Sequence, residues 1–192
     1  MKSAILILIL CFLSACNSAT KKVDAQTTQG SEASSLENFC AENHCRKNRR
    51  VTFMTDGEPV DELLELYWPI VQGDKISLLP GDKIYVEAEI VDGMFSNFKQ
   101  VEEIVNDEKT IVFDFQQMEG KVDMMLNVKN PFQKAMKFHV DMIDFKGNAH
   151  QTSSCPVMSG GGVYEHWPHA IPEIILSNIR AVELTDIAGC IY

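Results

Sequence analysis

The sequence predicts a mainly β fold, an antiparallel β-sandwich in which an immunoglobulin-like arrangement is favoured. Three segments alternate apolar and polar residues with a period of two, at 82–91, 121–130 and 137–142. Such alternation is typical of strands with one face on a core and the other in water. About six or seven strands with little helix are expected, which favours two packed sheets. The remaining strand candidates are 50–55, 110–118 and 178–184.

The alternation also defines which side chains should face the core. In the first segment the inner residues are Ile84, Val86, Ala88 and Ile90. In the second and third they are Val122, Met124, Leu126, Val128, Phe138, Val140 and Met142. The pair Asn130-Pro131 between these two segments is a turn signal, so they are expected to form a hairpin.

Two segments have apolar residues at helical spacing and predict one or two short helices. The first, 60–69, stops at Pro69, which cannot continue a helix. The second, 97–107, has Asn97 followed three residues later by Gln100, which resembles a capping box. An α+β fold, with a helix on an antiparallel sheet, is therefore the alternative to the sandwich. The two apolar stripes are Leu63, Leu66 and Tyr67, and Phe98, Val101, Ile104 and Val105.

Residues 1–15 have the layout of a secretory signal peptide. Lys2 gives a positive start, and the apolar run 4–13 is too short to span a bilayer as a mature helix. The run ends in the tetrad Leu-Ser-Ala-Cys at 13–16, which resembles the lipobox of bacterial lipoproteins. This resemblance implies cleavage before Cys16 and acylation of its sulfur and new amino terminus, with palmitate among the acyl chains. Several acyl chains together anchor a protein stably to a membrane.

The residue after the lipobox bears on the destination of the protein. Asn17 follows Cys16, whereas in Gram-negative lipoproteins an Asp at this place is associated with retention in the inner membrane. The resemblance therefore implies a lipid-anchored protein of the cell envelope, at the outer membrane and facing the periplasm.

Beyond the lipobox, composition divides the chain into a tether and one domain. Residues 16–38 are rich in Ser, Thr, Ala, Gln and Gly and nearly lack large apolar side chains. Such a segment buries too little surface to offset its ordering entropy, which predicts a flexible tether. A single globular β-rich domain is expected over 39–192, a typical size for one domain.

The chain is acidic, with a formal net charge of −10 at pH 7, and removal of Lys2 makes the mature chain one unit more negative. This disfavours nucleic acid as a partner, since phosphates require a basic surface. One basic cluster interrupts the pattern: Arg46, Lys47, Arg49 and Arg50. It is interpreted as a solvated turn beside the first strand, with contact to anionic lipid headgroups as the alternative.

The sequence contains six cysteines, of which Cys11 leaves with the signal peptide and Cys16 carries lipid. An even number of remaining cysteines in an exported domain predicts disulfides. The pairing that we favour joins residues 40 with 45 and 155 with 190, while 40 with 190 and 45 with 155 stays open. The disulfide candidates are thus Cys40, Cys45, Cys155 and Cys190.

The segment 152–169 collects side chains that can bind a transition metal: Cys155, Met158, His166 and His169. Soft sulfur with imidazole suits Cu(I), and thiolate with imidazole suits zinc. Pro168 excludes a regular helical face for the two histidines. We therefore expect a loop anchored by a disulfide, with Trp167 fixing it to the core, and neither a metal nor a cofactor. Ordered loops at the end of a sandwich commonly bind partners, so this segment remains the favoured place for a binding function.

Motifs of catalysis are missing from the sequence. It contains no G-x-S-x-G, no P-loop, no dinucleotide-binding glycine pattern and no H-E-x-x-H. We therefore predict no enzyme but an envelope lipoprotein whose sandwich binds or scaffolds another protein. A periplasmic metal-binding or metal-delivery module using 155–169 is the alternative, and an envelope hydrolase ranks third.

Overall fold

The computed structural model describes residues 35–183 together with residue 190. The predicted signal peptide, Cys16 and residues 17–34 of the predicted tether lie outside the described residues. One helix, α1 at 35–42, precedes the strands in the described part. No helix in this part is long and apolar enough to cross a membrane. The strands are β1 (Arg46–Met54), β2 (Pro59–Tyr67), β3 (Val71–Gln72), β4 (Lys75–Leu78), β5 (Asp82–Val91), β6 (Met94–Val101), β7 (Thr110–Gln117), β8 (Met124–Lys129), β9 (Ala135–Ile143), β10 (Ala149–Thr152), β11 (Gly162–Trp167) and β12 (Glu173–Val182).

The predicted mainly β, antiparallel, sandwich-like architecture is confirmed. The larger sheet has the strand order β10-β9-β12-β6-β5-β7-β8-β11, with β4 attached to β12 and β3 to β4. β12 connects the layers, because Ile174 pairs with Leu78 of β4 while Arg180 pairs with Met94 of β6. The hairpin predicted between 121–130 and 137–142 is wrong, because β8 pairs with β7 and β11 whereas β9 pairs with β10 and β12. The immunoglobulin-like arrangement stays a prediction.

The core of the sandwich is formed by the inner faces of these strands, as the period of two indicates. The bulky aromatic members Phe95, Phe113, Phe115 and Phe138 are almost inaccessible to solvent. Burial of such side chains contributes about 1.5–3 kcal/mol each. Predicted inner residues that are confirmed as buried are Ile84, Val86, Ala88, Met124, Leu126, Val128, Phe138 and Val140.

Strands β1 and β2 form a separate two-stranded hairpin that packs on the sandwich. Its inner face carries Val51 and Phe53, which form a second small core with Leu79. The Phe53 ring also stacks with Phe145 of the β9–β10 turn, at a centroid distance of 6.1 Å. The hairpin therefore has a buried inner face and an outer face turned to solvent.

The helix predicted at 60–69 is wrong, since Pro59–Tyr67 is strand β2. Val60 and Leu64 pack against the small core, whereas Leu63 is 53% exposed. The strand carries apolar residues on both faces, and these happen to have the spacing of a helical stripe.

The helix predicted at 97–107 is also wrong, because Met94–Val101 is strand β6. Asn97 adopts a left-handed backbone conformation with φ of 56°, and the pairing of β5 with β6 shifts register between Glu87 and Glu89. This irregularity brings Phe95 and Phe98 to the same core although they are three residues apart. A bulge therefore produced a spacing that imitates a helix. Asn97 donates not to a helix end but to Glu89 Oε2, at 2.9 Å.

Candidate binding sites

The segment 152–169 is tied to the sandwich at several points. Cys155 is bonded to Cys190, and the other disulfide joins Cys40 to Cys45, so the structure has the favoured pairing. Val157 exchanges both backbone hydrogen bonds with Met136, at 2.8 Å each. The loop is thus held as a structural element.

Trp167 fixes the far end of this segment, as predicted. Its ring is buried and lies edge-to-face with Phe115 at a centroid distance of 6.5 Å. Its Nε1 donates to the Thr152 hydroxyl at 3.1 Å, which satisfies the polar end of the indole. Trp167 therefore joins both ends of the loop.

The structure does not bring the four alternative metal ligands together in one site. Cys155 is in the disulfide, and His166 Nε2 lies 2.8 Å from Asp123 Oδ2 on the outer face of β11. Met158 and His169 are exposed in the flanking loops. Over 35–183 and 190, no group of three or more His, Cys, Asp or Glu side chains could hold a metal ion.

A buried charged pair lies beneath the Cys155 disulfide. Lys137 and Glu165 are both buried, and burial lowers the pKa of Lys137 and raises that of Glu165. The Glu165 carboxylate accepts the backbone N–H of Cys155, and Lys137 Nζ donates to the carbonyl of Ser154. Both charged groups thus bind the backbone of the same loop, and this pair positions the loop instead of facing a cleft.

The predicted basic cluster lies in strand β1 and not in a turn. Lys47 and Arg50 are solvated as expected, whereas Arg46 and Arg49 belong to a largely buried ionic network. The Arg46 side chain is only 9% exposed, and its Nη1 lies 3.1 Å from Asp82 Oδ2, while Arg49 Nη2 lies 2.9 Å from Asp82 Oδ1. Arg46 also donates to the Trp68 carbonyl at 2.7 Å and to the Ser77 hydroxyl at 2.6 Å. These contacts attach the start of β1 to the sandwich.

The second acid of this network is Glu173 of β12. Its Oε2 accepts the Tyr67 hydroxyl at 2.7 Å, and its Oε1 lies 4.0 Å from Arg46 Nη2. Burial and the neighbouring Glu173 raise the pKa of Tyr67, which keeps the phenol protonated as a donor. The Arg46 guanidinium also lies over the Tyr67 ring, 4.9 Å from its centroid. The network thus connects both hairpin strands to β12.

A cleft of about 470 Å³ opens on the outer face of the layer that contains β7, β8 and β11. Its floor is formed by the paired row Val112–Lys129–Gly162 and by the neighbouring pair Asn127–Tyr164. Since Gly162 has no side chain, the row is open at the edge strand, whereas Tyr164 forms a wall in the neighbouring pair. Ile104 and Asp107, from the loop between β6 and β7, form the opposite wall.

The glycine run of the loop has a structural reason. A Cβ on Gly162 would lie 2.9 Å from the Val128 carbonyl oxygen, so a side chain does not fit where β11 approaches β8. Gly160 has φ of 61°, a conformation that glycine adopts without strain. The same glycines leave one rim of the cleft as bare backbone.

Sequence reasoning located the loop but missed the cleft. In the sequence, Asn127 and Lys129 are polar residues on the outer face of an alternating strand. Such residues are normally interpreted as a solvated surface. Their proximity to Tyr164 depends on the β8–β11 register, for which the sequence carries no signal.

Comparisons of the chain with known protein families, with characterised proteins and with solved structures find no match.

Proposed function

We propose that the protein is an envelope lipoprotein, anchored by acyl chains on Cys16 and facing the periplasm, whose non-enzymatic sandwich binds another protein. The lipobox-like tetrad at 13–16 supports the anchor, and the two disulfides are consistent with an oxidising compartment. The observation that carries the binding role is the outer side of the β1–β2 hairpin.

Strand β2 has a free edge. It pairs with β1 on one side and with no other strand among the described residues. The neighbouring outer face presents Leu63 and Met54, which are 53% and 48% exposed. A free edge beside exposed apolar side chains is the arrangement to which a partner adds a β-strand.

The charge of β2 indicates what kind of partner fits. Asp61, Glu62 and Glu65 are all exposed along the strand. Within the part of the chain that the structure describes, Asp61 alone of the three has an ion pair, with Arg50. Two copies of β2 placed edge to edge would bring these acids together, which like-charge repulsion opposes. The partner is therefore a different protein, with a strand that carries basic side chains.

The anchor is tested with Cys16→Ser in the full chain. We expect the variant to fold as the wild type but to leave the membrane pellet, because the acyl chains are the proposed attachment. Fractionation after a high-salt wash measures this. Retention of the variant in the pellet would contradict the lipoprotein proposal.

The binding surface is tested by placing a photo-crosslinking residue at position 63 in the full chain, expressed in its native cell envelope. We expect one heteromeric adduct, identified by mass spectrometry, that is lost when Glu62 and Glu65 are replaced by Lys. The same probe at the exposed Lys146, on the β9–β10 turn, is the control. Adducts that form equally at both positions, or that survive the charge reversal, would contradict this surface.

A further inference from the structure

The cleft on the outer face of β7, β8 and β11 collects polar side chains that the chain itself does not use. Within the described residues, no hydrogen bond or ion pair engages the side chains of Asp107, Asn127, Lys129 or Tyr164, and all four line the cleft. Polar groups that converge on one cleft and remain unpaired are available to a ligand.

The frame of the cleft is fixed before any ligand arrives. Asn130 is buried and its side-chain amide donates to the carbonyls of Lys134 and Met158, at 2.8 and 3.2 Å. Its backbone N–H donates to the Gly161 carbonyl at 2.8 Å, which holds the glycine rim in place. On the opposite wall, the buried Thr110 hydroxyl donates to the Asn106 carbonyl and ties down the loop that carries Asp107. A preformed site avoids the entropy cost of ordering loops on binding.

The charges of the cleft point to a ligand without net charge. Lys129 and Asp107 contribute one positive and one negative side chain, so neither a phosphate nor a polycation is matched. Asn127 supplies an amide that both donates and accepts, and the Tyr164 hydroxyl does the same. A ligand with several hydroxyl groups complements this set, because each hydroxyl can donate and accept.

The cleft also has an apolar surface, which a purely polar ligand would leave in contact with water. Tyr164 is 67% exposed and Ile104 is 46% exposed, on opposite walls. The volume of about 470 Å³ lies in the range of small-molecule sites. A pyranose ring combines equatorial hydroxyls with a C–H face that packs on an aromatic ring.

We propose that this cleft is a binding site for a neutral saccharide, with Tyr164 packing on one sugar ring and Asn127, Lys129 and Asp107 binding its hydroxyls. The site is on a different strand pair from the β2 edge, and it does not depend on the protein-binding function. Either proposal can fail without the other.

The test uses the full chain, purified from whole cells lysed in a sugar-free detergent, so that it does not depend on membrane attachment. Saturation-transfer difference NMR is recorded with two neutral trisaccharides, of N-acetylglucosamine and of glucose, and with the zwitterionic dipeptide alanyl-alanine as a comparison. We expect saturable transfer to ring protons of a neutral trisaccharide at millimolar concentration. Weaker or absent transfer to the dipeptide is expected, because it lacks the hydroxyls.

Variants then locate the site. Tyr164→Ala and Asn127→Ala are each expected to weaken binding by about tenfold or more, through loss of the packing face or of the amide. His166→Ala is the matched control, since His166 lies two residues along the same face of β11 but does not line the cleft. Circular dichroism checks that all three variants fold. No saturable transfer to either trisaccharide, tighter binding of the dipeptide, or equal loss in His166→Ala would overturn the proposal.

Discussion

The side-chain amide of Gln117 hydrogen-bonds both backbone groups of Met54: Oε1 accepts its N–H at 2.7 Å and Nε2 donates to its carbonyl at 2.8 Å. Gln117 ends β7 and Met54 ends β1. The Gln117 side chain thus pairs the backbone of Met54 as a neighbouring strand would. It attaches the far end of the hairpin, while Arg46 attaches the near end.

Gln117→Ala should therefore release the tip of the hairpin without unfolding the sandwich. The substitution removes these two hydrogen bonds and a third, from Nε2 to the Val122 carbonyl at 3.1 Å. At about 0.5–1.5 kcal/mol each, they predict a loss of about 1.5–4.5 kcal/mol in the free energy of unfolding. Hydrogen exchange of the Met54 amide should accelerate. Gln116→Ala is the control, because Gln116 is exposed on the other face of β7. Unchanged protection of the Met54 amide would show that this contact does not hold the hairpin.

Arg46→Met should destabilise the protein strongly. The substitution leaves the largely buried Glu173 without its guanidinium partner and Asp82 with Arg49 alone. Breaking a buried ion pair costs about 3–5 kcal/mol. Arg50→Met is the comparison, since the Arg50 side chain is 66% exposed in its pair with Asp61. Surface pairs contribute little, so urea unfolding should barely change in that variant. Equal effects of the two substitutions would contradict the structural role of the Arg46 network.

The stability contributed by Glu165 should fall as the pH rises. Burial raises the pKa of this carboxyl above its ordinary value, so between the two values the folded state binds more protons than the unfolded state. The contribution is present below the ordinary pKa and is lost as the pH rises through the raised one. Glu165→Gln keeps an acceptor for the Cys155 N–H and should remove this slope. Unfolding free energies measured from pH about 4 to 8 test it, with the exposed Glu103→Gln as a control that keeps the slope.

The two disulfides should differ in their contribution to stability. Cys155–Cys190 closes a loop with a sequence separation of 35, and Cys40–Cys45 one of 5. Chain entropy predicts about 4 kcal/mol for the first and about 2 kcal/mol for the second. Paired Cys→Ser variants, compared by thermal unfolding, should therefore rank in that order. The reverse order would show that native-state contacts outweigh loop closure.

Replacing His166 and His169 together by Ala should leave zinc and copper uptake nearly unchanged. Cys155 is engaged in a disulfide, and His166 is hydrogen-bonded to Asp123, so no thiolate and imidazole set is assembled here. Calorimetric titration of the oxidised protein measures this. Tight binding of one metal per chain that disappears in the double variant would restore the metal-delivery alternative.

The strands that the sequence predicts best are those with one clean buried face. In 82–91 and 137–142 the apolar positions alternate without interruption, and the structure buries all of them except Ile90 and Met142, which are partly exposed. Lys137, on the face predicted to be solvated, is buried as well. The failures at 60–69 and 97–107 have a common cause. In both segments the apolar residues are spaced as in a helix for reasons that a local pattern does not show. In 60–69 the apolar Leu63 faces solvent, and in 97–107 the strand is irregular around Asn97.

The ionic network of Arg46 and the proposed binding cleft were harder to predict, because they depend on pairing between distant segments. Arg46 appeared as one cation in a basic run, and its acidic partners Asp82 and Glu173 lie far along the chain. Asn127 and Tyr164 become neighbours only through the β8–β11 register. Local composition indicates that such residues are polar, but not which of them meet.

The central place of β12 has a consequence for biogenesis. It follows β4, β6 and β9 in the chain, yet it pairs with all three, so the layers cannot close until it is present. In the proposed export route, the earlier strands would cross the membrane first. Until β12 follows, their edges would be unpaired and their apolar faces uncovered. Folding dominated by such distant pairings is slow, and the waiting chain is prone to aggregation. Protection by an extracytoplasmic chaperone during this interval would then matter more for yield than the stability of the finished domain.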